Sequence, residues 1–136
     1  MVDWSQILCT WMAANSGGNL VLNTNFFRTK LPHTVKPTTI GVVLRPTSGR
    51  APDLAVGFDY PRFQVSVRCV NFSLANAEAL RIYNQLSRLD TTRLGSSPDW
   101  LLVSACRAQS TPFPIGQDEQ QCWLVVNNYE LELQGE

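Results

Sequence analysis

The sequence predicts an α+β fold: a small single domain in which two main helices pack on a mixed, mostly antiparallel sheet, in the order α-β-β-β-α-β-β. Three observations predict it. Residues 74–89 carry one apolar stripe at helical spacing. Residues 61–72 alternate apolar and polar side chains. Residues 100–108 and 122–131 are apolar on both faces, as strands inside a layered structure are. Strands in runs with two helices among them define the class. At 136 residues the chain fits one domain, 1–136, and can bury its own core.

The first helix is expected from about residue 4 to about 14. Asp3-Trp-Ser-Gln6 has the form of a capping box, and Trp4, Ile7, Leu8 and Trp11 recur at helical spacing. Asn15-Ser-Gly-Gly18 ends it. Residues 19–37 mix short apolar pieces with Asn, Thr and Pro and read as irregular, with a short strand near residue 20 open as an addition. Thr38 to Leu44 is β-branched and reads as a strand, and Arg45 to Asp53 as a turn-rich loop.

In the next strand Phe63, Val65, Val67 and Cys69 point to one side, and Arg62, Gln64, Ser66 and Arg68 to the other. The polar side faces either solvent or a partner. Ser73 can cap the second helix, whose stripe is Ala75, Ala79, Ile82, Leu86 and Leu89; Glu78 and Arg81 pair on the opposite side. Asp90 to Pro98 reads as loop. The last two strands are joined through Ser110-Thr-Pro-Phe-Pro-Ile-Gly-Gln-Asp-Glu119. Pro112 and Pro114 cannot donate ladder hydrogen bonds, so the segment is expected to project as a loop with an apolar tip, Phe113 and Ile115. The midpoint of Cys106 and Cys122 falls on Pro114. A hairpin centred there sets Cys106 against Cys122, Ser104 against Leu124 and Leu102 against Val126. The four cysteines are expected as packed thiols in the reducing cytoplasm, with later oxidation of Cys106 and Cys122 left open.

Eleven basic and eleven acidic residues cancel, so the excess positive charge of a free-standing nucleic-acid binder is missing. No apolar run reaches membrane-spanning length. The cysteines form no C-x-x-C and only one histidine, His33, accompanies them, which argues against a zinc site. No phosphate-binding glycine loop, zinc-protease motif or nucleophile elbow occurs. Asp118 and Glu119 are adjacent on an extended segment, so they point apart and make a poor acid/base pair. They read instead as turn and rim residues. No enzyme, cofactor or metal is expected.

Four stretches in order carry a resemblance: "NLVLNTNFFRTKLP" (19–32), "TTIGVVLR" (38–45), "YPRFQVSVRCVNFSLANAEALRIYNQL" (60–86) and "STPFPIGQDEQQCWLVVNNYEL" (110–131). Over about residues 4–132 the chain resembles the tail terminator proteins of long-tailed bacteriophages, also described as minor capsid or tail completion proteins. Two departures stand out. Phe27-Arg28-Thr29-Lys30 lacks a Gly-Arg seen in many members, and Gln120-Gln121-Cys122 replaces an Asn-Gly-Arg.

The resemblance implies a structural role without catalysis or cofactor. It implies a homo-oligomer, a hexameric ring, at the head-proximal end of the tail tube, in the neck of the virion. Its partners would be the tail tube protein and a head-completion or stopper protein, with DNA only passing through the lumen and no membrane involved. Ring closure needs two different patches on each subunit. The candidates are the strand face with Arg62, Gln64, Ser66 and Arg68, and the loop with Phe113, Ile115, Asp118 and Glu119. The alternative is a ligand- or peptide-binding α+β domain working alone.

Overall fold

The computed structural model describes residues 3–53, 57–96 and 99–134. Helix α1 spans Trp4–Ala14, and the Asp3 carboxylate accepts from the Gln6 backbone N–H, satisfying one orphan donor of the first turn. Strand β1, Phe26–Arg28, runs parallel to β2, Gly41–Asp53. β2 then pairs antiparallel with β3, Phe58–Cys69, setting Val42 opposite Val67 and Leu44 opposite Val65.

The loop expected at 45–53 is therefore a strand. Proline and glycine suggest a turn, but β1 ends opposite Leu44, so among the described residues no strand pairs with the other edge of β2 from Pro46 onward, and that edge tolerates a residue without an N–H. Gly49 serves a close approach: a Cβ there would meet the Tyr60 carbonyl oxygen at 2.5 Å. β3 alternates as its sequence predicts, with Phe63, Val65, Val67 and Cys69 buried and Arg62, Gln64, Ser66 and Arg68 half-exposed.

Helix α2 spans Phe72–Leu86, and its cap is Asn71 rather than Ser73: the Asn71 side chain accepts from the Leu74 N–H at 3.2 Å. Both are good capping residues, and the turn out of β3 leaves Asn71 in the extended conformation a cap requires. The helix ends at Leu86, while Leu89 stays buried in the turn that follows. Glu78 pairs with Arg81 as expected, through two contacts of 2.9 Å, but it is buried beside the apolar stripe and not on the solvent side.

Three further corrections concern the C-terminal third. Asp90–Ser96 is β4, an edge strand paired antiparallel with β5, Asp99–Ala108. Phe113–Gln117 is β6, not a projecting loop, and it pairs with β7, Trp123–Gln134. β5 also pairs with β7, but far from its start, with Cys106 opposite Leu131 and Leu102 opposite Gln134. Cys106 and Cys122 therefore do not face each other. The chain leaves β5, crosses residues 109–112, and resumes as β6 along the same edge of β7. The buried Asn127 side chain holds that crossing, donating to the Ser110 carbonyl at 2.7 Å and accepting from the Ser110 hydroxyl at 3.0 Å. An expectation that counted residues symmetrically about Pro114 could not include this break.

The strands form one curled, mixed sheet in the order β1-β2-β3-β7-β5-β4, with β6 beside β7. Helix α1 touches β1, β2 and β4, so strands from both ends of the order approach the same helix. The core cluster joins Leu8 and Met12 of α1, Ala75, Ile82 and Leu86 of α2, and Val42, Phe63, Val67, Val103, Tyr129 and Leu131 of the strands. Phe63 and Tyr129 stack at 5.2 Å between ring centroids.

Replacing Asn71 with Ala should lower unfolding stability by about 1 kcal/mol, and Ser73→Ala by less than about half of that, since only Asn71 caps. Chemical denaturation of the two variants checks the order.

Candidate functional site

The face of β3 turned away from the core continues across its neighbours as a polar ladder. Arg62 bonds Glu130 of β7 at 2.9 Å, and Arg107 of β5 reaches Glu132 at 3.3 Å. Gln64 donates to Asn128 at 3.3 Å and accepts from Arg45 at 3.5 Å. At the far end Arg68 bonds Asp118 at 2.7 Å and also reaches Gln120. Between these rows lies an apolar one. Val126, only 4% exposed, stands opposite Ser66 on one side and Phe113 on the other. The face thus offers side chains that are charged but paired, which is a surface suited to contact without strong net charge.

Asp118 organises the turn from β6 to β7. One carboxylate oxygen accepts from the backbone N–H groups of Gln120 and Cys122 at 2.9 and 3.0 Å. The other accepts from Arg68, tying the turn to β3. Desolvation alone would raise the pKa of Asp118, but the Arg68 guanidinium and the two amides outweigh it and hold the carboxyl below its ordinary value. Gln121 takes a positive φ of 62° to close the turn. Glu119 is exposed and makes no bond to the described residues, so the two adjacent carboxylates have separate surroundings.

Of the residues singled out from the sequence, Arg68, Asp118 and the β6 strand come together at one end of the sheet, while Arg62 and Gln64 lie further along β3. Phe113 and Ile115 are 40% and 59% exposed, so two large apolar side chains stand in solvent. The acidic and amide partners Asn128, Glu130 and Glu132 were missed. Their alternation with Tyr129, Leu131 and Leu133 was the signal available. His33 is exposed in the turn after Pro32.

All four cysteines are free thiols; burial pushes Cys9 and Cys106 up to about 12, so neither is a thiolate at neutral pH. Among the described residues no group of three metal-binding side chains occurs, and no helix is long and apolar enough to cross a membrane.

The site is thus a paired polar face beside two exposed apolar side chains on β6. The family model of the bacteriophage tail terminator protein matches residues 8–134. The chain belongs to that family and is a phage structural protein. A solved chain from the virion of a native gene transfer agent particle shares the fold, with a TM-score of 0.56 at 15% identity, over 91% of this chain and 84% of that one. No curated protein sequence shows a comparable match.

Removing the Asp118 carboxylate leaves two turn amides and Arg68 without their acceptor. Asp118→Ala should cost about 1–3 kcal/mol in denaturant unfolding. Because the folded-state pKa is lowered, this stabilisation is complete above the ordinary carboxylate value and is lost as the pH falls through the lowered one. The difference between wild type and variant should therefore shrink in acid and be constant near neutrality.

Proposed function

We propose that this chain is the tail terminator subunit of a tailed phage. Copies close into a ring, taken as a hexamer, on the head-proximal end of the tail tube in the virion neck. The ring stops addition of tube protein and offers its other face to a head-completion or stopper protein, and DNA passes through its lumen. In this reading the chain is one α+β domain with its helices layered on the sheet, and it works without catalysis or cofactor. The observation that carries the proposal is the family match across residues 8–134. The paired polar face and exposed apolar side chains support it.

The contact residues in this reading are Arg62, Gln64, Arg68, Phe113, Ile115, Asp118 and Glu119. In this reading their work divides. Arg62 already holds Glu130 of β7, and Arg68 holds Asp118 in the turn that follows β6, so both shape the wall. Phe113 and Ile115 have apolar area left to bury.

Purified protein mixed with isolated tail tubes should appear by negative-stain microscopy as a cap on one tube end, and tubes so treated should not lengthen when tube protein is added. Uncapped tubes that keep growing, with a strictly monomeric protein, would sink the proposal. Phe113→Ser with Ile115→Ser should leave circular dichroism unchanged and weaken capping, since each buried apolar anchor is worth about 1.5–3 kcal/mol.

A further inference from the structure

The ends of the sheet carry surfaces that match each other. At one end, β6 exposes Phe113 and Ile115, and Glu119 stands exposed in the turn just beyond, bonded to none of the described residues. At the other end, β4 closes onto β5 with Gly95 opposite Trp100, near the end of β7 where Leu102 meets Gln134. There Ile7, Trp11 and Ala14 of α1 and Gly95 of β4 line an open apolar groove of about 320 Å³. Trp11 and Asn15 also line a second hollow, together with Arg81 and Arg88. Arg81 is held by Glu78 and Gln85, whereas the Arg88 side chain is exposed and bonds none of the described residues. One end of the sheet thus carries exposed apolar side chains on a strand beside an unpaired anion, and the other an apolar recess with an unpaired cation in the adjoining hollow. Strand β7, twelve residues long, separates them by roughly 35 Å.

We infer that the recess around Trp11 receives β6 of a second copy of this chain, Phe113 and Ile115 seating against Ile7, Trp11 and Ala14, and Glu119 meeting Arg88. The occupant is another copy because both halves of the contact, matched in charge and polarity, are on one subunit. They lie at opposite ends, so neither half can meet its match within a subunit, and joining them leaves each copy with one half still open. That is the heterologous, head-to-tail arrangement from which closed rings are built. The inference rests on the ring reading above and names the contact that closes it. Opposed free charges at the rim fix register and reject wrong pairings.

A charge swap tests it on the full chain, with wild-type ring formation and tube capping measured first. Glu119→Arg and Arg88→Glu should each raise the protein concentration for half-maximal assembly about tenfold, because each sets like charges face to face. The double variant should return to within about threefold of wild type, since the pair is restored in reverse. Single variants that assemble like wild type, or a double variant no better than the worse single, would overturn this contact and leave the ring reading standing. Wild-type protein that neither forms rings nor caps tubes would remove both. Ala14→Arg, placed at an exposed groove position, tests the recess without emptying the core: it should keep its circular dichroism and fail to assemble, and normal assembly by this variant would also count against the contact.

Discussion

Strand β7 has to satisfy backbone groups on both of its edges along most of its length. β3 lies on one edge, from Cys69 opposite Trp123 to Phe58 opposite Gln134. The other edge is divided between β6 at its start and β5 at its end. An unpaired backbone group in that position would cost as much as a lost hydrogen bond, so the crossing at 109–112 has to be short and well held. Asn127 meets this need from inside the strand itself, using both ends of its amide on Ser110. Tyr129, two residues on, packs its ring on Phe63 and locks β7 to β3 in the core. The arrangement of the β5–β6 edge, the position of β6 and the turn at Asp118 all follow from how this one strand is bordered.

The charged residues obey the same constraint at the surface. Arg62, Arg68 and Arg107 each reach an acidic partner on another strand or turn, so the ladder ties β3 and β5 to β7 and to the turn before it. Of these only Arg107 is more than half exposed, and its pair contributes little stability by itself. The effect of the three pairs is geometric: they fix long side chains across neighbouring strands and balance the charge of the face. Exposed apolar side chains lie elsewhere, on β6 and also at Val70, Phe72, Leu74 and Leu80 around α2.

The parts of the fold legible in the sequence are those governed by local periodicity. The α1 stripe with its Asp3 cap, the alternation of β3 and the stripe of α2 depend on residues a few positions apart. β4 and β6 were illegible because their residues, rich in Thr, Gly and Pro, describe a turn when read locally and become strands only when a neighbouring strand supplies partners. The same holds for 45–53. Glu78 was placed on the wrong side because helix periodicity does not register that a bidentate arginine can accompany a carboxylate into a partly buried position. For the site, alternation disclosed the face bearing Arg62 and Arg68. Their partners Glu130 and Asp118 lie 68 and 50 positions away, beyond any local rule.

The place of β7 in the sheet also sets when the protein can fold. It is the last of the described strands to leave the ribosome, yet it stands between β3 and β5. Until it emerges, β3 has a bare edge that other chains can pair with, and the apolar side chains of β2, β3 and α2 lack most of their cover. Native pairing then has to close a loop of more than fifty residues, an entropic cost met before the core returns anything. Folding of the sheet therefore waits on the emergence of β7, and until then nascent copies are most prone to aggregate with one another. Each nascent copy is exposed to this hazard for as long as its central strand is not yet inserted.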